Sequence, residues 1–66
     1  MNKKVDYLAF MALVTRKSLK KRDIAKYAEV ECEELDSFIK NKKQLDEKAI
    51  IKIAEFLGTA PETIFE

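Results

Sequence analysis

The sequence predicts an all-α domain, and three observations carry that reading. Apolar residues recur at helical rather than strand period along the whole chain. The 66 residues include one glycine and one proline, too few for the turns of a multi-stranded fold. Between Lys20 and Lys42, Ile24, Ala25 and Ala28 mark one helical face, and Leu35, Phe38 and Ile39 mark a second one short segment later. Two short amphipathic helices meeting across a tight turn form a helix-turn-helix layout, with the motif at about 20–40. Val30 falls at the junction, and Ala25 is small enough for the second helix to cross close over the first. One domain spans 1–66, because a chain this short buries only about 60% of the surface its unfolded form exposes.

In chain order, Met1 to Lys4 reads as a short basic arm, most simply a frayed terminus and otherwise a phosphate-touching tail. A first helix is expected near 5–16, apolar nearly all round, since only Asp6 is polar between Val5 and Val14. Tyr7, Phe10, Leu13 and Val14 are expected to enter the core, leaving Leu8 and Met11 on the opposite side as a contact surface or as ordinary exposed apolar residues. Ser18 is the expected N-cap of a second helix near 19–28. Its first turn holds Lys20, Lys21 and Arg22, the wrong sign for the helix dipole unless a phosphate compensates. A third helix near 31–40 opens on Glu31, Glu33 and Glu34, good capping chemistry but poor for approaching a polyanion. Asn41 can take the left-handed conformation that closes it. Asp46 is expected to cap a fourth helix near 46–57, with Ile50, Ile53, Ala54 and Leu57 inward and Gly58 ending it. Pro61 starts a fifth helix near 61–65. The expected core is Phe10, Leu13, Leu19, Ile24, Ala25, Ala28, Val30, Leu35, Phe38, Ile50, Ile53, Ala54 and Leu57. Ile51 and Phe56 lie off that face and, with Ile64 and Phe65, make the expected dimer interface; Leu8 with Met11 is the second choice.

Ile24-Ala25, Val30, Leu35, Phe38, Asn41-Lys42 and Ile53-Ala54-Glu55-Phe56-Leu57-Gly58 follow one spaced pattern without a gap. In these residues the chain resembles the Cro/CI-like (Xre-type) helix-turn-helix family, from Leu19 to Phe65, with Val5 to Lys17 standing where the family's first helix belongs. The resemblance implies a compact five-helix, lambda-repressor-like DNA-binding domain. It implies phosphate contacts by Lys20 and Lys21 at the start of the second helix and by Lys40, Asn41, Lys42 and Lys43 after the third. It implies base contacts by Cys32, Glu33 and Ser37, and a homodimer on two half-sites about 34 Å apart. Three departures stand out: Glu29 replaces the usual turn glycine, Ile39 replaces a common glutamate, and the third helix is crowded with carboxylates. Relatives pair that glutamate with an arginine where this chain has Val14, so both ends of the pair have become apolar together.

The net charge of +1 conceals an alternation. Residues 1–26 carry eight basic and two acidic side chains, 27–39 five acidic and none basic, and 40–43 three lysines. With no histidine there is no imidazole base or His-ligated metal, and Cys32 has no such partner to activate it, so the chain is expected not to be an enzyme and to need no cofactor or metal. The single cysteine excludes an internal disulfide, no signal peptide is read, and the first apolar run is too short to cross a bilayer, which together point to a cytoplasmic chain. Two functions remain open. One is a small transcriptional regulator binding double-stranded operator DNA as a homodimer. The other is a helix-turn-helix domain turned to protein binding through acidic helix 31–40 or apolar helix 5–14.

Overall fold

The computed structural model describes residues 4–66. Of the basic arm read at Met1 to Lys4, all but Lys4 lies outside the described residues. Four α-helices follow in order: α1 (Tyr7–Arg16), α2 (Lys21–Ala28), α3 (Cys32–Ile39) and α4 (Glu47–Leu57). The expected fifth helix is instead a single 3-10 turn, Pro61–Ile64. Pro61 fixes its start as expected, but too little chain follows for a full α-helical turn to propagate. Its radius of gyration of 10.4 Å matches the roughly 10.8 Å of a compact chain this long.

Each α-helix stops in the same way. A residue one or two past the end of each helix, Ser18, Glu29, Asn41 or Gly58, turns left-handed at φ 53, 60, 63 and 73°. The N–H one further on then reaches back to a carbonyl five residues earlier: Leu19 to Val14 at 2.9 Å, Val30 to Ala25 at 3.0 Å, Lys42 to Ser37 at 2.8 Å and Thr59 to Ala54 at 3.0 Å. This is the Schellman arrangement, which satisfies carbonyls that a helix end would otherwise orphan. Ser18 therefore closes α1 and does not cap α2. The residue before α2 is Lys20, whose side chain has no acceptor to offer. One further start shifts. Asp6 lies outside α1 and accepts the Ala9 N–H at 3.1 Å, delaying the helix to Tyr7. Asp46 stands at the expected position before α4, without a side-chain capping bond.

The core gathers Phe10 and Val14 of α1, Ile24, Ala25 and Ala28 of α2, Leu35, Phe38 and Ile39 of α3, and Ile53 and Leu57 of α4. Ala49 and Ala54 are buried beside them. Leu13, Leu19, Val30 and Ile50 pack half-buried against this cluster. Val14 and Ile39 both lie inside it. α2 packs chiefly on α4 and α3, while the terminal turn packs on α4 and α1.

Two expectations for α1 fail at its start. Tyr7 is 43% exposed, and Met11 packs against the core rather than away from it. The place expected for Tyr7 goes to Val5, which is 2% exposed. Val5 forms an isolated antiparallel bridge with Phe65; no strand forms among the described residues. Around it Asp6 N–H donates to Ile64 and Glu66 N–H donates to Lys4, each at 2.8 Å. On the other edge of Val5, the Asn41 side-chain amide takes the place of a backbone partner. Val5 N–H donates to Asn41 Oδ1 at 2.8 Å, and Asn41 Nδ2 donates to the Val5 carbonyl at 3.2 Å.

Lys17 fastens the other end of α1 by donating from Nζ to the Leu57 carbonyl at 2.6 Å, adding a cation where the α4 dipole is negative. A Cβ on Gly58 would lie 2.7 Å from that Nζ. Gly58→Ala is expected to cost about 1–2 kcal/mol through its left-handed backbone, and so to lower the thermal midpoint by about 4–8 °C per kcal/mol. Ser18→Gly is expected to raise it, with a stability gain of less than about 1 kcal/mol because glycine also loosens the unfolded chain by about 0.4–1 kcal/mol. Calorimetry of the two variants checks both signs.

Candidate nucleic-acid interface

α3 turns Leu35, Phe38 and Ile39 inward, so Cys32, Glu33, Asp36, Ser37 and Lys40 share its outer face at one-turn spacing. The three expected base-contact residues are thus brought together. Cys32 and Glu33 are exposed in the first turn, while Ser37 is half-buried. Glu34 faces sideways and serves the helix itself: the Glu31 N–H donates to its Oε1 at 3.0 Å, the returning half of a capping box.

The expected phosphate contacts divide into three groups. Lys21 and Lys40 converge on Asp36, with Nζ 3.1 Å from Oδ1 and 3.0 Å from Oδ2, while Lys43 reaches Glu34 Oε2 at 2.6 Å. Lys20 and Lys42, with Arg22, are exposed and carry no ion pair among the described residues. Asn41 is the exception. It takes the left-handed conformation as expected, and its amide bonds at both ends to Val5, which uses one of the two Nδ2 hydrogens.

These pairs set the titration of the face. Hydrogen bonds from Lys40 and then Lys21 hold the Asp36 carboxyl below its ordinary 3.8, and Asp36 in turn raises the Lys40 ammonium above 10.5. The Lys43 hydrogen bond, followed by the Glu31 N–H, holds Glu34 below 4.5. All these side chains are a third or more exposed, so the pairs position lysines more than they stabilise the fold.

The residues expected at a dimer interface scatter. Ile64 is corrected outright: at 0% exposure it belongs to the chain's own core, because the 3-10 turn and the Val5 bridge fold it inward. Phe65 is half-buried with its ring edge-on to Phe38, centroids 6.1 Å apart. Phe56 packs tilted against Tyr27 at 5.3 Å, leaving Ile51 of the four as the exposed one, at 44%. Tyr27 also donates its hydroxyl to Glu55 Oε1 at 3.1 Å. On α1, Leu8 is 80% exposed.

Asp36 is the residue that sequence reasoning missed. Its pairing with Lys40 is an i, i+4 spacing and was readable, whereas Lys21 lies fifteen positions away and required the fold. Among the described residues no group of His, Cys, Asp and Glu is placed to hold a metal, and no helix is long and apolar enough to cross a membrane. A scan against protein-family models finds no match, and no curated protein matches the chain.

The ion pairs have a defined pH signature. Because the folded-state values of Asp36 and Glu34 are lowered, whatever stability the pairs contribute is fully present above the ordinary carboxylate values and is lost as pH falls through the lowered ones. Carboxyl-carbon NMR titration is expected to place Asp36 below 3.8 and Glu34 below 4.5. Lys40→Ala should move the Asp36 midpoint upward, and Lys43→Ala should do the same to Glu34.

Proposed function

We propose that the chain is a small DNA-binding transcriptional regulator of the Cro/CI-like (Xre-type) kind, in which α2, the connection Glu29 to Glu31 and α3 act as a helix-turn-helix. The observation that carries the reading is the placing of cations on both flanks of the α3 outer face. Lys20, Lys21 and Arg22 stand at the start of α2, and Lys40, Lys42 and Lys43 stand at or just beyond the end of α3. At the α2 start the Lys20 side chain makes no capping bond, so the Lys21 and Arg22 backbone N–H groups are open to a phosphate, while those of Asp23 and Ile24 donate to the Lys20 carbonyl. On this reading Cys32, Glu33 and Ser37 meet base edges, Glu33 by accepting from a cytosine amino group. Asp36 and Glu34 hold lysines in place until phosphates compete for them. A homodimer would give two recognition helices, and Ile51 with the Tyr27 and Phe56 pair is the surface retained for it.

A second reading has its own observations. Asp36 and Glu34 already occupy three of the lysines, and Leu8 lies 80% exposed on α1. An acidic α3 or an apolar α1 would then face another protein.

Fluorescence anisotropy with mixed-sequence duplex DNA at low and moderate salt separates the two. DNA binding predicts that Asp36→Asn strengthens affinity for all sequences by removing one anion and freeing two lysines. Lys42→Ala should weaken it and reduce the salt slope by roughly 0.9. Glu33→Gln should instead change sequence preference, a good base contact being worth about 1–3 kcal/mol of discrimination. No binding at low salt would sink this reading in favour of the protein-binding one.

A further inference from the structure

Beyond the C-terminus of α3 lies an open concavity of about 360 Å³, lined by Lys4, Val5, Phe38, Asn41, Lys42, Lys43 and Gln44. Its charged lining is three lysines with no carboxylate. Two lysines come from the loop after α3. The third comes from a segment distant in sequence, placed there by backbone pairing rather than by its own side chain.

That segment is held on both edges. The Lys4 carbonyl accepts the Glu66 N–H at 2.8 Å, and the adjoining Val5 is bracketed by the Phe65 bridge and the Asn41 amide. Lys4 is therefore presented from paired backbone, and ordering it on binding costs less than ordering a frayed terminus would. Val5 and Phe38 beneath it are buried, at 2% and 3% exposure, so the three lysines are the charged groups that an anion there meets. Lys43 is partly spent on Glu34, leaving Lys4 and Lys42 as the cations without an ion pair among the described residues.

We infer that this concavity is a backbone-phosphate clamp in which Lys4 contacts the same DNA strand as Lys42 and Lys43. The inference rests on the DNA-binding reading and deepens it by adding a cation that the helix pair itself does not supply. A Lys4 contact would fix the register of the duplex along α3 without reading sequence, as phosphate contacts do.

Lys4→Ala tests it in the full chain, by anisotropy against mixed-sequence duplex over a salt series. The expected result is weaker binding to every sequence and a salt slope reduced by roughly 0.9, restored by Lys4→Arg, with the thermal midpoint unchanged. Lys42→Ala runs alongside as the reference for a phosphate contact, and Lys48→Ala, on exposed α4, as the reference for generic charge loss. If Lys42→Ala lowers the slope while Lys4→Ala behaves as Lys48→Ala does, the clamp is overturned and the DNA reading stands. If the unsubstituted chain binds no duplex at low salt, both fall together.

Discussion

Everything in this fold depends on stopping short helices abruptly. Its α-helices run eight to eleven residues, below the roughly 12–15 at which an isolated helix becomes even marginal in water. Each therefore persists only by burying its apolar face against the others, and the chain must reverse at once to bring those faces together. The left-handed residue after each helix makes the reversal. Only one of the four is glycine, so Ser18, Glu29 and Asn41 hold a backbone conformation that costs an L-residue stability. The packing of the core offsets that cost, with Ile24, Leu35, Ile39, Ile53 and Leu57 all excluded from solvent.

The outer face of α3 is governed by a different balance. Its carboxylates suit the positive end of a helix and repel a polyanion, and the fold answers by leaning lysines from three other places onto them. Lys21 arrives from α2, Lys40 from one turn further along, and Lys43 from the following loop. The result is a surface on which the carboxylate charge is locally offset by lysines. Arg22, Lys20 and Lys42 stand outside that arrangement.

Periodicity made most of the fold legible. Helical spacing located all four α-helices, and the apolar positions read as inward on α2, α3 and α4 went inside except Ile50, which is half-buried. It also set Cys32, Glu33 and Ser37 on one face of α3, since that depends only on residues within two turns of each other. Contacts between distant segments were not legible. Asn41 announced its backbone conformation through its residue type, but nothing local revealed that its amide would be taken up by Val5, 36 positions away. Ile64 and Tyr7 were misplaced for the same reason, because the Val5 bridge to Phe65 decides which apolar side chains lie beneath it. The two-lysine hold on Asp36 was half legible, in its Lys40 arm alone.

The bridge between Val5 and Phe65 bears on the order of events in folding. Helix formation and the helix-to-helix reversals involve partners close in sequence and form early, whereas this pairing joins residues separated by nearly the length of the chain. Its loop-closure entropy is lowest once the intervening helices have already drawn the two segments near. It follows that the bridge should form late and open first, exposing Val5 and Ile64 while α2, α3 and α4 remain packed. The least durable part of the domain would then be the part that orients Lys4 and occupies Asn41, so slow amide exchange should fade at Asp6 and Glu66 before it fades in the helices.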